Sequence, residues 1–257
     1  MDREGNYIYC IIGTMQERTF GPIGVGGRND DVLTIGYANL SMVVSSLPVS
    51  KLVVNNENLL AHERVIEKVM EEFDSVLPVK FGTIAYSTDE IRNLLDRRHR
   101  EFENCLKDMD HKVELGVKGL WKNMDTIFKK IADKNKNIKQ LKEEIQKSPD
   151  KKNHQAKIEL GKMVEKALEK EKEKEAEIIV DALRRTAYDH KLSKTIADEM
   201  FINASFLMDK GREKEFDNIM DDLSDKYEAK TKFIYTGPLP VFNFVNVAIY
   251  PEEWEKP

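Results

Sequence analysis

The chain has 257 residues, enough for one large domain or two small ones. Hydrophobic residues make up 40% and charged residues 34%, and the formal net charge is -5 with both signs interleaved. That balance excludes a nucleic-acid binder, which needs a net basic face, and it provides no polybasic anchor for an anionic membrane.

The first residues, M-D-R-E-G-N-Y, lack the apolar stretch of a secretory signal. No apolar run anywhere approaches the ~18 residues that span a bilayer. The expectation is a soluble, cytoplasmic protein. Tyr7 to Ile12 (Y-I-Y-C-I-I) is β-branched and aromatic and predicts a buried strand. Phe20 to Gly27 is a glycine-rich connection. Gly24 and Gly26 give G-x-G, but Asn29 stands at the third position of the phosphate-binding pattern and Asp31 to Ile35 reads as strand, so a turn is expected. Val32 to Ile35 and Leu40 to Ser46 predict two strands joined by a hairpin at Gly36 to Asn39.

Asn56 to Phe73 carries an apolar stripe at helical spacing, with Asn56 or Asn58 as cap. Val76 to Ala85 predicts a strand. Ser87 or Thr88 starts a helix that runs through Leu94, Leu95, Phe102 and Leu106. The first domain, residues 1–108, is thus an α+β unit with a mixed or antiparallel sheet and helices on one face.

His111 to Trp121 alternates, with Val113, Leu115 and Val117 facing inward, and opens a second domain over 109–257. A helical hairpin follows at about 123–189. Its first arm, Asn123 to Lys147, has Ile127, Ile131, Ile138, Leu141 and Ile145 at near-heptad spacing, which gives it coiled-coil character. Ser148-Pro149-Asp150 breaks the arm, and the second runs from about Asp150 to Tyr188 with Glu and Lys at i,i+4 spacing. A strand near Met200, a helix over Glu213 to Lys226 and a strand over Glu228 to Thr236 complete the unit. Gly237 and Pro238 are expected to stop that last strand.

No chemistry-bearing constellation emerges. The five histidines, His62, His99, His111, His154 and His190, have no metal-ligand spacing. His62 is expected to cap or pack, and His99, in R-R-H-R, to lie on a solvated helix face. Cys10 and Cys105 form no C-x-x-C pair and read as reduced, buried thiols. No nucleophile motif is present, and neither a metal nor a cofactor is expected. The apolar tail at 237–257, opening G-P-L-P-V-F-N-F-V, is too greasy for a solvated end and needs a surface, on its own domain or on a partner.

That tail, together with Asn203-Ala204-Ser205-Phe206-Leu207, resembles the gas vesicle accessory proteins of the F/L type. So do the V-G-G loop, M-V-V-S-S, the L-x-x-H ending in His62, and V-L-P-V-K-F-G-T from Val76 to Thr83. Lys80 stands where the family usually has Arg, Leu239 and Val241 replace the usual Trp and Pro, and Phe242 replaces Tyr. The resemblance implies a two-domain α+β protein whose second domain is ferredoxin-like with helical extensions. It implies a non-enzymatic accessory or minor structural role in gas vesicle formation, cytoplasmic and vesicle-associated, with the hydrophobic shell protein and other accessory proteins as partners. Gly237, Pro238, Pro240, Phe242 and Phe244 are the candidate partner-binding residues; the plain alternative is that the tail packs on its own domain. The rival readings are a coiled-coil scaffold unrelated to gas vesicles and an enzyme with an unrecognised pocket.

Overall fold

A computed structural model describes residues 4–48, 52–147 and 154–249. The expected helix break at Ser148-Pro149-Asp150 lies outside the described residues, as does the tail beyond 249. The chain divides into two compact units. The first gathers Met1–Glu114, Leu207–Gly211 and Gly237–Pro257; the second gathers Leu115–Phe206 and Arg212–Thr236. The tail is therefore grouped with the first unit, where the sequence reading gave it to the second.

In the first unit, β1 (Glu4–Ile12), β2 (Thr19–Gly21), β3 (Val32–Tyr37), β4 (Leu40–Pro48) and β5 (Val76–Pro78) form a sheet in the order β2-β3-β4-β1-β5, and β6 (Ile84–Ala85) also pairs with β1. The strand pairs are antiparallel. β1 sits at the centre because every residue from Tyr7 to Ile12 is apolar and buried. The register against β4 slips between Ile8 and Cys10. This bulge sends Tyr9 and Cys10 toward the same core, while Ile8 and Ile11 face the other. Cys105, by contrast, is only half-buried.

Helices cover both faces of this sheet, where the sequence reading placed them on one. α1 (Asn56–Met70) puts Val65, Ile66 and Val69 against Tyr7, Tyr9 and Ile12. α2 (Thr88–Arg97) and α3 (His99–Asp108) put Ile91, Leu94, Leu95 and Phe102 against Ile8, Ile11 and Met42. A central strand apolar on both sides needs cover on both. The cap of α1 is Asn55, whose side chain accepts from Asn58 N–H; Asn58 instead holds the preceding loop through Val53 O. The expected single helix after Ser87 breaks at Arg98.

The second unit contains β7 (Lys112–Trp121), α4 (Met124–Lys134), α5 (Lys136–Lys147), α6 (His154–Leu183), β8 (Asp189–Leu192), β9 (Met200–Asp209), α7 (Glu213–Tyr227) and β10 (Thr231–Leu239); the first residues of β7 and the last of β9 and β10 belong to the first unit. The sheet order is β10-β7-β9-β8. The expected first arm of the hairpin is interrupted at Asn135, which is extended and whose side chain accepts from the Asn137 and Ile138 N–H groups. An Asn that bonds the next turn starts a new helix rather than continuing the old one. α4 and α5 both pack on α6, which buries Leu168, Ala176, Ile179, Val180 and Leu183. Glu171, also buried there, meets Lys130 of α4 and lies 3.5 Å from the Lys134 ammonium; Lys130 reaches Glu175 at 3.2 Å. Burial alone would raise the Glu171 carboxyl, but these two lysines outweigh it and hold it below the usual range.

Candidate functional site

The five tail residues singled out in sequence divide into two groups. Gly237 and Pro238 are exposed; Pro240 is buried, and Phe242 and Phe244 are half-buried. β10 does not stop at Gly237 but runs through Pro238 to Leu239. The missing Pro N–H is tolerated because β10 is an edge strand. Gly237 has φ of 142°, a conformation that side chains disfavour, and a cis peptide joins it to Pro238.

Beyond Leu239 the chain turns on itself. Phe244 and Val245 both donate their N–H groups to Val241 O, at 3.0 Å each. The turn is tied down by Glu114, a carboxylate only 3% exposed. Its Oε2 accepts from the Asn243 N–H at 2.9 Å and its Oε1 from the Asn243 side-chain amide. Sequence reasoning placed Glu114 on the outward face of its strand and missed this role; the tail's own asparagine satisfies the buried charge.

Both cores of the first unit receive the tail. Phe242 packs on the core beneath α1, its ring 6.2 Å from the His62 ring. Val245, Val247 and Ile249 join the opposite core, where Val247 bridges Val79 in parallel. Arg98 locks the far end, donating from Nη1 to Ala248 O at 2.8 Å while Glu101 holds Nε and Nη2. The R-R-H-R cluster is thus not merely a solvated face.

His62 is 3% exposed and ringed by Tyr7, Tyr9, Phe81 and Phe242. Its Nδ1 lies 2.9 Å from the Tyr7 hydroxyl, which also accepts from the Gly82 N–H at 3.2 Å. In the tautomer protonated on Nε2, the Tyr7 hydroxyl donates to Nδ1 while it accepts from Gly82. Nε2 makes no full hydrogen bond and has only the weaker polar influence of the Val79 backbone. Burial pushes the imidazole down to about 4, against that influence, so it is neutral at pH 7. The neighbouring Tyr9 hydroxyl meets Ser45 Oγ at 2.8 Å and accepts from Val25 N–H, and Asn58 Oδ1 accepts from Gly26 N–H. The glycine-rich loop spends those two N–H groups on its own domain.

What remains open near the tail is an apolar notch of about 300 Å³, lined by Met70, Val113 and Pro238 with Glu67, Glu71 and Lys210 at its edge. Among the described residues no group of three His, Cys, Asp or Glu side chains is arranged to hold a metal, and no helix is long and apolar enough to cross a membrane.

These features define a mixed α+β protein with antiparallel sheets whose apolar tail is built into its first unit. A profile of the family described as "Gas vesicle synthesis protein GvpL/GvpF" matches residues 5–246, and the chain belongs to that family. It is 28% identical over 252 residues to gas vesicle protein F1 of Halobacterium salinarum, covering 97% of each chain. It is 27% identical to gas vesicle protein F of a Streptomyces species, covering 86% of this chain and 91% of that one. The crystal structure of gas vesicle protein GvpF from an Anabaena species superposes with a TM-score of 0.79 at 21% identity, covering 96% of this chain and 100% of that one. GvpF from Microcystis aeruginosa gives 0.76, also at 21% identity, covering 93% and 98%. At that identity the two structures speak for the fold.

Proposed function

We propose that this chain is a non-enzymatic accessory protein of gas vesicle formation, acting in the cytoplasm by lending apolar contact area to the hydrophobic shell subunit and to other accessory proteins. Family membership supports the gas vesicle role. The observation that carries the contact is the notch beside Pro238: an apolar concavity left open although the tail around it is pinned by Glu114 and Arg98. Of the five tail residues, Gly237 and Pro238 present the surface, while Pro240, Phe242 and Phe244 hold it in place.

The second unit reads as ferredoxin-like. Its element order, strand, helices, two strands, helix, strand, and its strand order β10-β7-β9-β8 support that reading. Its helices form an antiparallel hairpin of coiled-coil character, supplying a second partner surface. The rival scaffold role, with the hairpin dimerising, is disfavoured by the lysine–glutamate network, which spends charges of α4 and α6 within one chain.

Capture of the shell subunit by the immobilised protein tests the reading. Pro238→Glu and Met70→Glu, each checked for intact folding by circular dichroism, are expected to lower capture about tenfold or more. Undiminished capture by both overturns the notch. Normal gas vesicles in cells lacking the protein overturn the accessory role itself.

A further inference from the structure

The second unit carries a groove unrelated to the tail. A cavity of about 500 Å³ runs between α6 and the segment that follows β8. Its floor is apolar, built from Ala176, Phe201 and Ile202. At its lip, Leu192 is 60% exposed and Ile196 81% exposed. Single exposed apolar residues are ordinary, but two that overhang a concave apolar floor form one continuous surface.

The rim is acidic. Glu165, Glu169 and Glu173 recur every fourth residue, so they line one face of α6, and Asp198 stands on the opposite wall. Lys172 also lines the cavity, but it is 5% exposed and already engaged. Its ammonium donates to Thr195 Oγ1 at 3.3 Å and Ala197 O at 3.2 Å and lies 3.4 Å from Glu169. Lys172 therefore fixes the far wall to α6 and adds little positive charge to the mouth. Lys194 remains as the other cation of the lining, against four carboxylates. Among the described residues, neither Glu165 nor Glu173 has a cationic partner.

We propose that this groove docks a basic amphipathic segment of a partner protein, its apolar side chains on Phe201, Leu192 and Ile196 and its lysines or arginines against Glu165, Glu173 and Asp198. Charge complementarity selects that occupant: an acidic or purely apolar segment would leave the carboxylates desolvated without a counter-charge. The inference does not rest on the gas vesicle role, since the groove's chemistry alone specifies the ligand.

Fluorescence anisotropy with a labelled Leu/Lys amphipathic peptide, run against a Leu/Glu peptide of the same pattern, tests it on the full chain. The Leu/Lys peptide should bind, and the Leu/Glu peptide about tenfold or more weaker. Glu165→Lys/Glu173→Lys and Leu192→Ser/Ile196→Ser should each weaken Leu/Lys binding about tenfold. These side chains are exposed, so folding should survive the changes. Asp221→Lys/Asp222→Lys, an equal charge reversal on α7, should leave binding unchanged. No binding by the unaltered chain, unchanged binding by either groove variant, or an equal loss in the α7 variant overturns the proposal.

Discussion

The hydroxyl of Tyr7 and the imidazole of His62 meet at 2.9 Å inside the first unit, although 55 residues separate them in the chain. Their pairing joins the central strand of the sheet to α1, and Phe242 of the tail closes over it. Removing the hydroxyl by Tyr7→Phe leaves His62 Nδ1 without that partner in an apolar setting, while the exposed Gly82 can turn its N–H to water. The expected loss is about 1–3 kcal/mol of unfolding free energy, read from urea denaturation at pH 7.

His62 also gives the fold an acid sensitivity. Its folded-state value is pushed down to about 4, from an ordinary value of 6.5. Above pH 6.5 the ring is neutral folded or unfolded and contributes no pH dependence. As pH falls from 6.5 toward 4 the unfolded chain takes up a proton that the folded chain refuses, so stability drops, by about 3 kcal/mol in all. Below 4 the loss levels off. Denaturation curves between pH 7 and 4 for the natural chain and for His62→Phe should show that part of the slope vanish in the variant. An identical slope in both would remove His62 as its source.

Glu114 and Asn243 make the tail's attachment testable. Glu114→Gln replaces one acceptor with an amide that faces the Asn243 donors. A bond to a charged group typically contributes about 1.5–3 kcal/mol, and a loss in that range is expected. Hydrogen exchange should accelerate first at Val245, whose N–H lies in the turn. Even acceleration across the whole sheet, with none specific to the turn, would show that Glu114 does not anchor the tail.

Two glycines should resist substitution for different reasons. Gly237→Ala forces a side chain into φ of 142° and should cost about 1–3 kcal/mol. Gly119→Ala meets a packing limit instead: an added Cβ would sit 2.6 Å from the Phe201 ring and 2.8 Å from Ile202. Overpacking of that kind costs about 1–3 kcal/mol. Phe201 stacks on Trp121 at 5.3 Å, so the fluorescence of Trp121, isolated by Trp254→Phe, should report the Gly119 change.

The central strand, the cap at Ser87, and the helix read over Glu213 to Lys226, which extends one residue further to Tyr227, were legible in the sequence, because each rests on a local pattern. β8 was not. D-H-K-L offers no apolar run, and its pairing with β9 is a tertiary matter. The tail's hunger for an apolar surface could be read, but not where it would be met. Glu114 illustrates why: in an alternating strand a carboxylate reads as outward-facing, and its partner lies 129 residues away. Arg98 hid in the same manner, as one member of a basic run whose other members look solvent-facing.

The tail's place in both cores of the first unit sets an order of events during synthesis. Phe242, Val245 and Val247 leave the ribosome only after the entire second unit has been made. Until then the nascent first unit waits with its two cores incomplete, the His62 cluster uncapped and the Glu114 carboxylate without its partner. At about 5–20 residues per second that interval lasts several seconds or more. A protein of this design would itself depend on the cell's chaperones while it is being born.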